Sequence, residues 1–445
     1  MHKQLGENFT ERLRTWAVLL VFPAVLLLFS AADMLTPAKL YSSYENRKLQ
    51  QKPELSVQAV RTGSYMKEYE DYVSDQILGR NSYIAVKSAT DRALGKKEIN
   101  GVYLATDGTL IEKHTEEFST QNIEKTLEGL QKLERLLQGK SRSFQVLLAP
   151  TADNVYSEKL PAYAEVFPEE ALWRQFRDAC GENTVFPDVF SPLRSHAEEY
   201  IYYGTDHHWT TLGSYYAYQT WAAENNVTAV SYNTDKVSET FYGTLHSKTN
   251  LPGLPFDIIE AYAYEGMREV YYDLSETPEY SLYAEKYLSG KNRYGYFLDD
   301  NHMLIEIRNT SYKKVSTDRE RKNKGTSLFI IKDSFANCMV PYLSEHYETI
   351  YILDLRYYKG KLTQLLDRYV TKDTDVLILY NMSHFVTEFR FWNDLYMGVG
   401  IHQCDYQHKQ EDKYQNESHR IYGAEQQQYF RKNKEAVEAG HDAVS

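Results

Sequence analysis

The chain is poor in cysteine. Cys180, Cys338 and Cys404 are the only cysteines in 445 residues, and they lie far apart. This spacing excludes a zinc site built from paired cysteines, and it excludes a disulfide framework because at most one bridge can form. A chain of this length with so few cysteines fits a reducing compartment, or an exported protein that is stabilised by its core.

Basic residues are outnumbered by acidic ones. Lysine and arginine together number 50, aspartate and glutamate 62, and the formal net charge is −12. No basic stripe with interleaved aromatic residues is present. The composition therefore argues against binding to nucleic acid or to an anionic membrane face. Tyrosine, in contrast, is abundant, with 39 residues, and its ring suits packing at half-exposed positions as well as contact with carbohydrate.

The chain has one long apolar run, WAVLLVFPAVLLLFSAA at residues 16–32. Its length falls in the range of roughly 17 to 25 residues that a bilayer helix needs. Residues 16–35 are therefore predicted to form a transmembrane anchor after a short cytoplasmic N-terminus at residues 1–15. A cleaved signal peptide is the alternative, since small residues at 30–32 suit cleavage. Both alternatives place the rest of the protein outside the cytoplasm, as a membrane-anchored or a secreted protein.

Apolar periodicity divides the remaining chain into segments. Residues 36–95 are predicted to form a linker and a helical lead-in, residues 96–390 an α/β domain, and residues 391–445 a polar tail. The tyrosine-rich stretch around 228–318 has no clear periodicity and is predicted to be an irregular insertion or a strand-rich extension. No internal repeat is evident.

Within the α/β domain, short apolar strands alternate with helices. This order predicts a mostly parallel sheet that is covered by helices on both faces. The predicted strands are residues 144–150, 327–331, 349–353 and 375–380, and the predicted helices are residues 119–137, 167–180, 210–225, 335–345 and 361–369.

The sequence Asp206-His207-His208-Trp209 lies where a strand-like segment changes into a helical one. Catalytic groups are often held on such a short loop between two rigid elements. Ser334 follows a predicted strand, at a turn where a hydroxyl can be exposed as a nucleophile. Asp206 and His208 can supply the base and its orienting group. Two alternatives stay open: Ser334 as an ordinary helix cap, and metal binding by the Asp206, His207 and His208 side chains.

These two motifs, Asp206-His207-His208-Trp209 and the later Lys332-Asp333-Ser334-Phe335, resemble the bacterial DHHW family. That family is similar to the alginate O-acetylation proteins of the SGNH-hydrolase superfamily. Weaker similarities extend the resemblance over residues 40–385, and they imply an SGNH-hydrolase-like, flavodoxin-like α/β fold.

The resemblance also implies roles for single residues. Asp206 would orient, His208 would act as general base and Ser334 as nucleophile. Asn381 occupies a place comparable to that of an oxyanion-binding asparagine, although this sequence departs from the Gly-x-Asn-Asp form. Arg356 resembles an arginine of the relatives that holds the fold or the substrate, and an ion pair with a carboxylate such as Asp354 is the alternative.

The predicted function is extracytoplasmic, serine-dependent acyl transfer, in which a cell-envelope polysaccharide is O-acetylated through an acetyl-serine intermediate. A membrane-bound O-acyltransferase would supply the acetyl group, because acetyl-CoA is confined to the cytoplasm. No cofactor and no metal is predicted. The alternatives are a carbohydrate acetylesterase, a non-catalytic polysaccharide-binding or scaffold protein on the same fold, and a metal hydrolase.

Overall fold

The computed structural model describes residues 2–42, 47–312 and 326–388. The predicted polar tail at residues 391–445 lies outside these residues. The helices of the described part are α1 (His2–Leu35), α2 (Val57–Thr62), α3 (Ser64–Gln76), α4 (Arg80–Ala93), α5 (Thr120–Leu137), α6 (Ala152–Val155), α7 (Glu169–Ala179), α8 (Phe190–Ser195), α9 (Thr211–Glu224), α10 (Thr244–Thr249), α11 (Val340–Leu343), α12 (Leu362–Tyr369) and α13 (Met382–Thr387).

The strands of the described part are likewise numbered along the chain. They are β1 (Tyr41–Ser42), β2 (Arg47–Lys48), β3 (Glu98–Ile99), β4 (Val102–Leu104), β5 (Leu110–Glu112), β6 (Ser143–Ala149), β7 (Thr184–Val185), β8 (Thr234–Phe241), β9 (Asp257–Tyr262), β10 (Arg268–Tyr272), β11 (Leu304–Asn309), β12 (Ser327–Lys332), β13 (Thr349–Leu353) and β14 (Thr374–Asn381).

The apolar run near the N-terminus forms part of helix α1. Across the described ranges, the structure contains no helix with both the length and the apolarity that crossing a membrane requires. This finding contradicts the predicted transmembrane anchor at residues 16–35. The N-terminal part of α1 is polar and charged, and the uncharged run at residues 16–32 only reaches the lower limit of about 17 residues for a span.

A seven-stranded sheet forms the centre of the fold, in the order β10-β11-β13-β12-β14-β6-β7. The strands β13, β12, β14, β6 and β7 run parallel to one another. Strands β10 and β11 extend one edge by antiparallel pairing. The predicted mostly parallel sheet is thus confirmed. The two antiparallel edge strands come from the tyrosine-rich stretch at 228–318, which also contains the antiparallel pair β8 and β9.

Helices cover both faces of this sheet, as predicted. Strand β12 shows the reason, because Leu328 and Ile330 face one apolar cluster whereas Phe329 and Ile331 face the other. Helix α9 packs in the first cluster, and helices α5, α7 and α12 pack in the second. Successive side chains of a strand point to opposite faces, so a continuous apolar strand is stable only if both faces are buried.

The continuous helix predicted at 335–345 does not form. A 3₁₀ turn, Ser334–Ala336, follows β12, and the short helix α11 comes after it with Pro341 in its first turn. Proline has no backbone N–H and its ring clashes with the preceding turn, so a helix that starts at Phe335 cannot run through Pro341 without loss. The tight turn after β12 is what presents Ser334.

Candidate active site

The Asp206-to-Trp209 segment is a tight loop closed at its base. Tyr202 and Trp209 form an antiparallel bridge, and Thr210 accepts a hydrogen bond from the Gly213 N–H as the N-cap of α9. The Trp209 indole N–H donates to the Phe335 carbonyl at 2.9 Å. The tryptophan therefore fixes this loop against the turn that carries Ser334, which lies far away along the chain.

The carboxylate of Asp206 is buried and fully used by hydrogen bonds. Its Oδ1 atom accepts from the His208 N–H at 3.1 Å and lies 2.5 Å from His208 Nδ1. Its Oδ2 atom accepts from the Thr244 N–H at 2.8 Å and from the Thr244 hydroxyl at 3.1 Å. Burial opposes ionisation, but the neighbouring His207 and His208 imidazoles and these hydrogen bonds outweigh it and lower the pKa of Asp206. Asp206 is thus a fixed anion beside His208.

Ser334 begins the turn after β12, and its hydroxyl is free of capping because Asp333 caps the turn instead. Asp333 Oδ1 accepts from the Phe335 N–H at 2.9 Å. The Oγ atom of Ser334 lies 2.7 Å from Nε2 of His208. The structure therefore brings Asp206, His208 and Ser334 into one hydrogen-bonded line, in the order that the sequence analysis predicted.

Tyr294 supports this line from the irregular part of the chain. Its ring stacks on His208, with ring centroids 3.9 Å apart and an interplanar angle of 12°. Its hydroxyl donates to the Ser334 carbonyl at 3.0 Å. The Tyr294 side chain thus contacts both His208 and Ser334. The sequence offered no sign of this, because Tyr294 is one of many tyrosines in a stretch without periodicity.

Gly243 lies against Asp206. A Cβ atom at this position would overlap the Cβ and Oδ2 atoms of Asp206. The absence of a side chain lets the Gly243-Thr244 backbone approach closely enough for Thr244 to donate to the carboxylate. Sequence reasoning missed both residues, and the only local signal is a glycine before a threonine.

His207 has surroundings different from those of His208. Its ring lies over the His208 ring, with centroids 4.0 Å apart, and its Nδ1 atom lies 2.7 Å from the Thr244 hydroxyl. Burial and the neighbouring His208 lower the pKa of His207 to about 3. His207 is therefore a neutral imidazole at physiological pH.

A cavity of about 900 Å³ opens beside these groups. His207, Phe335, Asn381 and His384 line it on the side of the sheet. The lead-in helices α3 and α4 line the opposite side, together with α10. Since the carboxyl ends of β12 and β14 lead to Ser334 and Asn381, the cavity lies at the edge where parallel sheets commonly bind ligands.

The Asn381 side chain is committed to structural contacts. Its oxygen accepts from the Ser383 N–H at 3.1 Å and from the Ser383 hydroxyl at 2.8 Å, so that it caps α13. Its amide nitrogen donates to the Ala149 carbonyl at 3.3 Å. Asn381 does line the cavity, but its predicted oxyanion role stays a prediction.

Arg356 forms the ion pair that the sequence analysis gave as the alternative. Its Nε and terminal nitrogen atoms donate to the two Asp354 oxygens at 2.9 and 2.6 Å. Asp354 also lies 3.4 Å from the Lys332 ammonium, and both of those side chains are fully buried. Arg356 is not among the residues that line the cavity. The arrangement favours a structural role for Arg356 over contact with substrate.

The Asp206, His207 and His208 side chains are close enough to be considered as a metal site, since one ligand atom of each lies within 4.8 Å of the others. The donor set does not favour an ion, however. Both Asp206 oxygens accept hydrogen bonds from the protein, and His208 uses one nitrogen for Asp206 and the other for Ser334. A metal would have to displace several of these contacts.

Comparisons with known proteins show which structures have a similar fold. No curated protein matches the chain. A DHHW family protein from Eubacterium siraeum DSM 15702 has a similar structure, with a TM-score of 0.54 at 22% identity, over 67% of this chain and 96% of that one. Bacillus cereus PatB1, solved with a sulfonyl adduct, gives a TM-score of 0.52 at 21% identity, over 65% of this chain and 99% of that one.

The O-acetyltransferase domain of Pseudomonas putida AlgJ is a more distant match, with a TM-score of 0.41 at 14% identity, over 67% of this chain and 99% of that domain. In sequence, residues 179–353 match the model of the family described as DHHW protein. The resemblance predicted from the two motifs is thus confirmed for residues 179–353, which match the DHHW family model.

Proposed function

We propose that the protein is a serine-dependent acyltransferase that moves an acetyl group onto a hydroxyl of a cell-envelope polysaccharide. The observation that carries this proposal is the continuous line from Asp206 Oδ1 through His208 to Ser334 Oγ, with separations of 2.5 and 2.7 Å. Separations of about 2.6–3.2 Å between nucleophile and base are those of activated serines.

In the first half-reaction, Ser334 Oγ attacks the acetyl carbonyl and its proton passes to His208 Nε2. The bond between the acetyl carbon and the donor oxygen then breaks, and His208 returns the proton to that oxygen. In the second half-reaction, a sugar hydroxyl gives its proton to His208 and attacks the acetyl-serine. Ser334 leaves and recovers the proton. Asp206 stays ionised throughout and stabilises the imidazolium form of His208.

The developing oxyanion needs a hydrogen-bond donor, and we assign Asn381 as the candidate. Its amide lies at the cavity and donates only a long bond of 3.3 Å to Ala149. The side-chain NH₂ group has two N–H donors and uses one for Ala149, so the second can serve the oxyanion while Oδ1 still accepts from Ser383. Removing one such donor typically lowers the rate by about 10²–10³-fold.

The substrate assignment is supported by the family and by the cavity. Within the structural neighbours, the AlgJ domain is named as an O-acetyltransferase, and the DHHW resemblance implies the same chemistry on a polysaccharide. The cavity is large enough for a sugar unit, and polar side chains such as His207, Asn381 and His384 border it. We place the reaction outside the cytoplasm, with a membrane-bound O-acyltransferase as the source of acetyl groups.

A carbohydrate acetylesterase is the second candidate. The cavity has room for water next to Phe335, the residue after Ser334, and water can replace the sugar in the second half-reaction. The two candidates share the acetyl-serine and differ only in what removes the acetyl group.

The test is to trap the acetyl-enzyme with p-nitrophenyl acetate and to locate the added acetyl group by peptide mass spectrometry. We expect it on Ser334, and we expect Ser334→Ala to lower p-nitrophenol release by about 10³-fold or more. Ser289→Ala is the matched control, since Ser289 also belongs to a 3₁₀ turn but is exposed. A wild-type rate in Ser334→Ala would refute the serine mechanism. Glycan binding without any acetyl-enzyme would instead favour the scaffold alternative.

A further inference from the structure

Of the four residues in the Asp206-to-Trp209 motif, only His207 lines the cavity. Its ring lies on that of His208, with centroids 4.0 Å apart and an interplanar angle of 34°. The proposed base and its neighbour are therefore a pair of stacked imidazoles, of which His207 borders the space available to a substrate. The proposed reaction leaves His207 without a role.

The hydrogen bonds around Thr244 determine which nitrogen of His207 carries a proton. The Thr244 hydroxyl has a single proton and lies 3.1 Å from Oδ2 of Asp206, an ionised carboxylate that can only accept. Donation to Asp206 leaves the Thr244 oxygen as an acceptor, and His207 Nδ1 lies 2.7 Å away. The opposite arrangement would turn a lone pair towards the carboxylate. His207 therefore carries its proton on Nδ1.

The second nitrogen of His207 is then a bare acceptor. Neutral imidazole has one N–H donor and one acceptor, and the low pKa of His207 keeps the ring neutral. In the described part of the chain, the hydrogen bonds of the His207 ring involve Nδ1, and none reaches Nε2. The ring that carries this unused acceptor lines the cavity.

We propose that Nε2 of His207 accepts a hydrogen bond from a hydroxyl next to the one that reacts, so that the enzyme selects vicinal diols of a sugar ring. The inference rests on the proposed function and names the class of acceptor. The reacting hydroxyl approaches His208 Nε2, because that atom must take its proton. Nδ1 of each ring lies near the same Asp206 oxygen, at 3.9 Å for His207 and 2.5 Å for His208, and the ring centroids are 4.0 Å apart. The two Nε2 atoms are therefore also neighbours, as two neighbouring hydroxyls of one sugar require.

The test compares two simple acceptors, cis-1,2-cyclohexanediol and cyclohexanol, with p-nitrophenyl acetate as donor. The acetylated products are quantified by gas chromatography, and the diol rate is divided by two for its two equivalent hydroxyls. A neutral hydrogen bond contributes about 1 kcal/mol, so the wild type should prefer the diol by about fivefold to tenfold.

Two substitutions of His207 distinguish the contribution of Nε2 from that of Nδ1. His207→Asn retains a polar group near the Nδ1 position and lacks one at Nε2, so the preference for the diol should fall to about onefold to twofold. His207→Gln places a polar group near Nε2 and should retain most of the preference. His196→Phe is the control, because His196 also stacks on a ring, that of Tyr216, but does not line the cavity.

Equal rates for the two acceptors in the wild type, or an unchanged preference in His207→Asn, would overturn the inference while leaving the acetyl-serine mechanism intact. Absence of the acetyl-enzyme in the wild type would instead refute the proposed function. The protonated nitrogen can be read without turnover, from the ¹⁵N shifts of the wild-type His207 ring. A proton on Nδ1 supports the inference, and a proton on Nε2 overturns it even if a variant fails to fold.

Discussion

Ser334 Oγ lies 2.7 Å from His208 Nε2, although 126 residues separate the two in sequence. Ser334 is presented by the turn after β12, and His208 by the loop before α9. Trp209 joins the two elements through the Phe335 carbonyl, and Tyr294 contacts both partners. The contact is therefore specified by several independent interactions rather than by chance proximity.

Asp206→Asn should abolish most activity without unfolding the protein. An amide can present an N–H where His208 Nδ1 needs an acceptor, and this change favours the wrong tautomer of His208. We expect kcat for p-nitrophenyl acetate to fall by about 10³–10⁴-fold. Asp367→Asn, at the exposed partner of Lys140, is the control. A loss below about tenfold would show that Asp206 does not orient the base.

Gly243→Ala should disturb the same carboxylate from the other side. The new methyl group would overlap Asp206, so either the carboxylate or the Gly243 backbone must move. We expect a loss of about 1–3 kcal/mol in the free energy of unfolding. We also expect a larger drop in kcat than the unfolded fraction of the variant explains, because Asp206 is displaced. Gly290→Ala should be tolerated, since a Cβ there meets its nearest neighbour, the Tyr287 carbonyl, at 3.6 Å. If Gly243→Ala and Gly290→Ala had the same free energy of unfolding and the same kcat, the close contact between Gly243 and Asp206 would not matter.

Tyr294→Phe tests the support given to Ser334. The variant keeps the ring that stacks on His208 and loses the hydroxyl that donates to the Ser334 carbonyl. One such bond is worth about 0.5–1.5 kcal/mol, which corresponds to a fall in kcat of about twofold to tenfold if it is lost in the transition state. Tyr294→Leu should fall further because the ring contact is also lost. The comparison variant is Tyr296→Phe, whose hydroxyl contacts Glu285 instead. The same kcat in both Tyr→Phe variants would argue against a role of the Tyr294 hydroxyl in holding Ser334.

The ion pair of Asp354 should matter for stability and not for substrate binding. Asp354→Ala leaves the fully buried Lys332 ammonium without its nearest anion, and loss of one partner of a buried pair costs about 3–5 kcal/mol. Arg356→Gln should cost less, about 1 kcal/mol or below, since Arg356 is partly exposed. Urea unfolding measures both effects. A rise of more than about tenfold in KM for Arg356→Gln would restore the substrate-binding alternative.

Stability should fall as pH rises, through Glu169. Burial and the neighbouring Asp153 raise the pKa of Glu169 to about 8, and both carboxyl groups contact the Thr151 hydroxyl. A carboxyl group with a raised pKa keeps its proton in the folded state while the unfolded chain loses it. The pKa of a glutamate in the unfolded chain is about 4.3. As the pH rises from this value to the pKa in the folded protein, Glu169 therefore lowers the free energy of unfolding more and more.

Glu169→Gln removes this titration. We expect the variant to gain roughly 1–3 kcal/mol more at pH 8 than at pH 5, relative to the wild type. Urea unfolding at the two pH values measures the difference, and the exposed Glu182→Gln is the control. The same effect of Glu169→Gln at both values would show that Glu169 does not keep its proton in the folded state.

Local patterns in the sequence determined much of the fold. The apolar face with its cap at Ser119 gave helix α5, and the continuous apolar strands gave a sheet buried on both sides. These features depend on spacing within a few residues, which a sequence displays directly. The same kind of reasoning was wrong about the transmembrane anchor at residues 16–35 and about the helix at 335–345, where a single apolar or helical run was given too much weight.

Only the tertiary structure decided how the site is assembled. The sequence motifs indicated Asp206, His208 and Ser334 as candidate site residues. They did not indicate Tyr294, Gly243 or Thr244, because these residues contact distant segments and no local pattern predicts such contacts. The sequence also left two alternatives for Arg356, of which the ion pair with Asp354 is present in the structure. The sequence determines which reactive side chains are present. The distances between these side chains depend on packing between elements that are far apart along the chain.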